Sequence, residues 1–165
     1  IPNEQNPVFI ALKDLNWFKT YEFPKVSESL GKVKMTVSQI NAGKQHNVVP
    51  SELNFVVDCR VTDAYSNKEI AEIISENTDS EVTPRSLRLN SSCIDPEHEF
   101  VKAGLKLGKH TYGSPTLSDQ CRLTCQSVKL GPGDSLRSHS ADEFIYVQEV
   151  KDGVQFYIDI LRQIV

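Results

Sequence analysis

The residues best placed to do chemistry lie between Lys129 and Glu143, in the run Lys-Leu-Gly-Pro-Gly-Asp-Ser-Leu-Arg-Ser-His-Ser-Ala-Asp-Glu. His139 offers an imidazole that can bind a metal at neutral pH, and the carboxylates of Asp142 and Glu143 follow close behind. Gly131, Pro132 and Gly133 permit a sharp backbone turn, because glycine accepts positive φ and proline fixes its own. An apolar pair, Val128 and Leu130, precedes the turn, and a helical pattern follows it. The stretch therefore reads as a strand-to-helix connection, where α/β sheets commonly carry their chemistry. A polar surface loop with an incidental histidine satisfies the same residues.

Three further groups could bind a small polar ligand. Asn47 precedes Val-Val-Pro at the head of a hairpin, where its carboxamide could project or could bond its own turn. Arg60 ends an alternating run beside Asp58; an arginine there can clamp a carboxylate through two parallel bonds or remain solvated. Ser118 and Asp119, in a turn-rich loop, could contact a ligand or cap a short helix running through Leu123.

The elements that must hold these groups follow from periodicity. Pro7 and the apolar positions Val8, Leu12, Leu15 and Phe18 predict a helix over 6–21. Val33, Met35 and Val37 alternate with polar residues, as do Leu53, Phe55, Val57 and Cys59, which predicts two antiparallel strands. Ser66 and Glu69 form a capping-box pattern opening a helix with Ile70, Ile73 and Ile74 on its apolar face. A third strand over 81–89 is expected at an edge because of Pro84. This order fits an α+β, ferredoxin-like β-α-β-β-α-β unit with its first strand missing. A hinge at 90–96 leads to a helix over 97–109, a strand over 126–130 and a final helix to Val165, with Val147, Val150, Val154, Tyr157, Leu161 and Ile164 along one face.

Composition bounds the rest. The 165 residues are 39% hydrophobic and 24% charged, enough for one or two small domains. A net charge of −4 and a pI near 5.6 argue against general affinity for nucleic acid or anionic membrane. No apolar run approaches the ~18–20 residues that span a bilayer. Four cysteines at irregular spacings suit reduced thiols and a cytoplasmic setting better than a disulfide framework or a zinc knuckle.

Taken together, Gly43-Lys-Gln-His-Asn-Val-Val-Pro-Ser-Glu-Leu-Asn-Phe-Val-Val-Asp-Cys-Arg60, Leu117-Ser-Asp119 and Leu130-Gly-Pro-Gly-Asp-Ser-Leu-Arg-Ser-His139 with Glu143 resemble the metal-dependent amidohydrolases. That family includes acetylornithine deacetylase, succinyl-diaminopimelate desuccinylase, aminoacylase and glutamate-releasing carboxypeptidases. The resemblance implies that residues 1–92 are most of a lid or dimerisation domain. Residues 93–165 would then be the C-terminal α/β portion of a zinc-hydrolase catalytic domain. It implies His139 as one ligand of a two-zinc site (cobalt being possible), and Asn47, Arg60, Ser118, Asp119 and Gly131 as substrate-binding residues. It further implies a homodimer formed through the lid and an N-acyl amino acid substrate. An acetylornithine deacetylase in arginine biosynthesis is the leading expectation; a desuccinylase or a dipeptidase is the alternative. Leu117 departs from several desuccinylases, which have threonine there. No His-x-Asp and no Glu-Glu pair occurs, so the general base and most metal ligands are expected upstream. The chain then reads as a fragment with no catalytic residue of its own, or as a non-catalytic dimerisation module.

Overall fold

A computed structural model describes residues 2–165. The chain divides into two compact units: residues 2–91 with 113–122, and residues 92–112 with 123–165. Ser118 and Asp119 therefore belong to the first unit, and His139 to the second.

In the first unit, α1 spans Pro7–Thr20, β1 Lys34–Ala42, β2 Leu53–Arg60 and α2 Asn67–Asn77. Asn6 starts α1 by accepting from the Val8 N–H at 3.0 Å, with Pro7 in the first turn where no donor is lost. Ser66 and Glu69 form the capping box expected of them, each accepting from the other's backbone N–H. The hairpin pairs Lys34 with Arg60 and Ala42 with Leu53, with a register shift between Val37 and Gln39. Its alternation sends Met35, Val37, Phe55, Val57 and Cys59 toward a core of Phe18, Phe23, Val33, Tyr65, Ile70 and Ile74. Edge-to-face aromatic contacts run from Phe55 to Phe18 and from Phe23 to Tyr65, whose hydroxyl accepts from the Lys25 N–H at 2.9 Å.

Two expectations for this unit are corrected. The buried face of α1 is Ala11, Asp14 and Phe18, while Leu12 is 54% exposed. Residues 81–89 form no ladder; β1 and β2 are the only sheet among the described residues. Topology explains the missing strand. In a β-α-β-β-α-β unit whose crossovers are both split, the strands lie in the order fourth, first, third, second. The observed pair is the second and third, so the fourth has no neighbour without the first, and Pro84 removes one donor besides. Val82 still packs on the core, which keeps the α+β arrangement of a ferredoxin-like unit around a two-stranded sheet.

The second unit contains α3, Glu99–Lys106, and α4, Val147–Leu161. Val101 and Ala103 are buried on α3, and on α4 Ile160 is 1% exposed. Residues 126–130 are not a strand; the segment is tied to 93–95 by the Ser127 N–H to the Cys93 carbonyl (3.2 Å) and the Asp95 N–H to Gln126 Oε1 (2.7 Å). The face of α4 expected to be buried is instead exposed at Val147, Val150, Val154 and Leu161. Gly153 decides this: a Cβ there would sit 2.9 Å from Pro132 Cβ, so the helix turns its glycine toward the Gly131–Gly133 turn. Gly153→Ala gains about 1 kcal/mol of helix propensity but overpacks that contact at a cost of about 1–3 kcal/mol. The expected outcome is a lowered urea midpoint, despite the better helix former.

Candidate functional site

The His139 loop is built from polar bonds, since no residue from Ser138 to Phe144 is buried. Asp134 opens a short 3-10 turn, Ser135–Arg137, by accepting from the Leu136 N–H at 2.9 Å. Gly133 takes φ 87°, the turn that the sequence anticipates, whereas a Cβ on Gly131 would meet nothing. His139 has φ 63° and is the only non-glycine in the left-handed region among the described residues. Its backbone N–H donates to Glu143 Oε2 at 3.0 Å, and the Ser140 hydroxyl donates to the Arg137 carbonyl at 2.7 Å.

Arg137 and Glu149 were not singled out by sequence reasoning. Arg137 Nη1 donates to Glu149 Oε2 at 2.8 Å and Nη2 to Oε1, a fork on the first turn of α4. The guanidinium also lies 4.9 Å from the Phe144 ring centroid and 5.3 Å from that of Tyr146. Arg137 donation and the Tyr146 N–H (2.9 Å) pull the Glu149 carboxyl down to about 2, and Glu149 holds the Arg137 guanidinium above its ordinary value. The sequence carried only a weak signal for this pair: Glu149 stands three residues past Tyr146, and tyrosine is no ordinary cap.

The first unit holds the other candidates. Asn47 is exposed in the connection between β1 and β2, beside an open concavity of about 570 Å³ lined by Lys44, Gln45, Val48, Pro50 and Glu52 among others. Arg60 closes the far end of β2, where Nε meets Asp58 Oδ2 at 2.8 Å while the side chain stays 71% exposed. Its terminal nitrogens make no ion pair among the described residues. Asn47 and Arg60 thus stand at opposite ends of an eight-residue strand, roughly 24 Å at the usual rise. Within one copy a small amino acid reaches one of them but not both. Asp119 opens a 3-10 turn, Asp119–Arg122, and the Ser118 carbonyl accepts from the Cys121 N–H at 3.1 Å. The expected short helix is therefore a single tight turn ending one residue before Leu123.

A catalytic zinc takes about three protein ligands. Among the described residues no group of three His, Cys, Asp or Glu side chains could hold a metal. His139, exposed and with a ring that makes no hydrogen bond among the described residues, fits such a site as a single donor. No helix among the described residues is long and apolar enough to cross a membrane.

The family model of the M20 peptidase dimerisation domain matches residues 3–86. A curated relative, the LysW-lysine/LysW-ornithine hydrolase of Saccharolobus solfataricus, is 26% identical over 159 aligned residues that cover 88% of this chain. The chain spans 45% of that relative's length.

Proposed function

Since this chain belongs to the M20 peptidase family through its dimerisation domain, we propose that it is part of a zinc-dependent hydrolase that frees the amine of an N-acyl amino acid. The observation that carries this reading is the similarity to a hydrolase named for lysine and ornithine conjugates, extending across both units. An acetylornithine deacetylase-like activity in arginine biosynthesis is the favoured form, with a desuccinylase or dipeptidase as alternatives. Residues 1–92 act as the lid and residues 93–165 as part of the catalytic domain.

In this reading His139 gives one donor to the metal, and the remaining donors and the general base come from polypeptide outside this stretch. When bound, zinc supplies Lewis acidity toward the scissile carbonyl. The chain's own residues bind and orient the substrate: Arg60 offers its terminal nitrogens to an α-carboxylate, Asn47 offers a carboxamide, and Ser118, Asp119 and Gly131 offer further contacts. The separation of Asn47 from Arg60 makes a homodimer through the lid part of the proposal, because two copies are needed to bring both residues to one ligand. Free thiols at Cys59, Cys93, Cys121 and Cys125 suit a cytoplasmic enzyme.

The test is a deacylation panel on a full-length protein containing this chain, comparing acetyl and succinyl conjugates of ornithine, lysine and diaminopimelate. Turnover of acetylornithine above the others supports the favoured form; turnover of none overturns it. Arg60→Ala is expected to raise KM about tenfold or more for substrates bearing the α-carboxylate, with little change for their amides. Equal losses on both substrates remove the clamp. That no three-donor cluster forms among the described residues favours a second reading for the isolated chain, a non-catalytic dimerisation module.

A further inference from the structure

We propose that Arg137 is a positioning residue for His139: its fork to Glu149, covered by Phe144 and Tyr146, fixes the left-handed turn that presents the imidazole. The inference rests on the reading of His139 as a metal donor.

An exposed arginine–glutamate pair contributes little, typically ~0–1 kcal/mol, so the geometry of this one matters. Both partners are largely covered, with side chains 21% and 28% exposed. The contact is bidentate, and two aromatic rings lie against the guanidinium.

Its place in the chain gives it a task. A left-handed backbone at a non-glycine costs about 1–2 kcal/mol and persists where surrounding structure over-determines it. Burial supplies no such restraint here, because residues 138–144 are all exposed. The restraint comes from bonds that close on either side of His139. Before it, Arg137 is fastened to α4 by its side chain and to Ser140 by its carbonyl. After it, Glu143 takes the His139 N–H. The Glu149 carboxylate that receives Arg137 also takes the Tyr146 N–H, so one group fixes both the loop and its entry into α4. Removing the guanidinium frees the loop on the N-terminal side of His139, with the helix itself intact. The close approach of Gly153 to Pro132 holds the chain upstream of Arg137 and leaves the segment from Asp134 to His139 without a second tie to α4 of its own among the described residues.

The experiment uses the full-length protein and compares Arg137→Ala, Arg137→Lys and His139→Ala. Zn²⁺ affinity is read by competition with a chromophoric chelator, and amide hydrogen exchange is followed over residues 134–146. Arg137→Ala is expected to weaken Zn²⁺ binding by about tenfold or more, as loss of groups that orient a ligand does. Exchange across 134–146 should quicken while helix content stays unchanged. Arg137→Lys keeps the charge but loses the fork, so it should fall between wild type and alanine; it decides the question if the alanine variant does not fold. Wild-type Zn²⁺ affinity in a folded Arg137 variant, alongside loss of zinc in His139→Ala, overturns the positioning role and leaves the metal reading standing. Retention of zinc by His139→Ala overturns both.

Discussion

Replacing His139 with alanine in the full-length protein is expected to remove zinc and hydrolase activity together, by more than the ~10–100-fold that follows loss of a merely supporting group. A catalytic zinc has about three protein donors, so losing one leaves too few to retain the ion through dialysis. The backbone at this residue complicates a single substitution. With φ 63°, histidine and alanine both bear the left-handed penalty, but histidine is the better tolerated there, so His139→Ala disturbs the turn as well as removing the imidazole. His139→Gly separates the two effects, because glycine takes that conformation without strain. Both variants should show the same loss of zinc by elemental analysis, with the glycine variant equal or superior in thermal stability. Unchanged zinc in the glycine variant would show that the imidazole is not a donor.

The elements that sequence reasoning places correctly are those determined within a few residues of themselves. Alternation in Leu53–Arg60 fixes which side chains face the core, and Ser66 with Glu69 closes a cap within one turn. Residues 81–89 fail because a strand is a relation between two segments: Val82 still finds the core, but no neighbour exists for the ladder. Residues 126–130 fail similarly, bonding to the Cys93–Asp95 segment and, through the Leu130 carbonyl, to the Tyr157 hydroxyl, and not to a sheet. On α4, counting apolar positions selects the stripe at Val147, Val150 and Val154, yet the side turned inward, with Gly153, Phe156 and Ile160, lies about a quarter-turn round the helix from it. The candidate site divides the same way. His139 and its glycine turn are visible as residue types, whereas Arg137 with Glu149 depends on two residues twelve apart meeting in space.

Asp14 was passed over because it sits among the apolar positions of α1 as a charged residue, and its partners are 65 and 66 residues away. It is 2% exposed and accepts from the Asp79 N–H (3.2 Å), the Ser80 N–H (2.8 Å) and the Ser80 hydroxyl, tying the middle of α1 to the segment that leaves α2. Asp14→Ala leaves these donors without an acceptor. At ~1–3 kcal/mol for each buried group left unsatisfied, a net loss of about 3 kcal/mol is expected, a large share of the ~5–15 kcal/mol that holds a typical domain folded. Burial alone pushes the Asp14 carboxyl up, but the Ser80 hydroxyl and the backbone N–H groups of Asp79 and Ser80 outweigh it, and the carboxyl ends below its ordinary value. The sign follows from that direction. A carboxyl with a depressed folded pKa contributes its stabilisation above the unfolded value of about 3.9 and loses it as pH falls through the folded value. Asp14→Asn keeps one oxygen acceptor but not the charge, so its deficit in urea unfolding should be largest near neutral pH and shrink as pH drops below about 4. The other depressed carboxyls, Glu22, Glu69 and Glu149, titrate in both proteins and cancel in the difference. A gap between wild type and Asp14→Asn that stayed constant into acid would mean that the carboxylate's shape, and not its ionisation, secures the two helices.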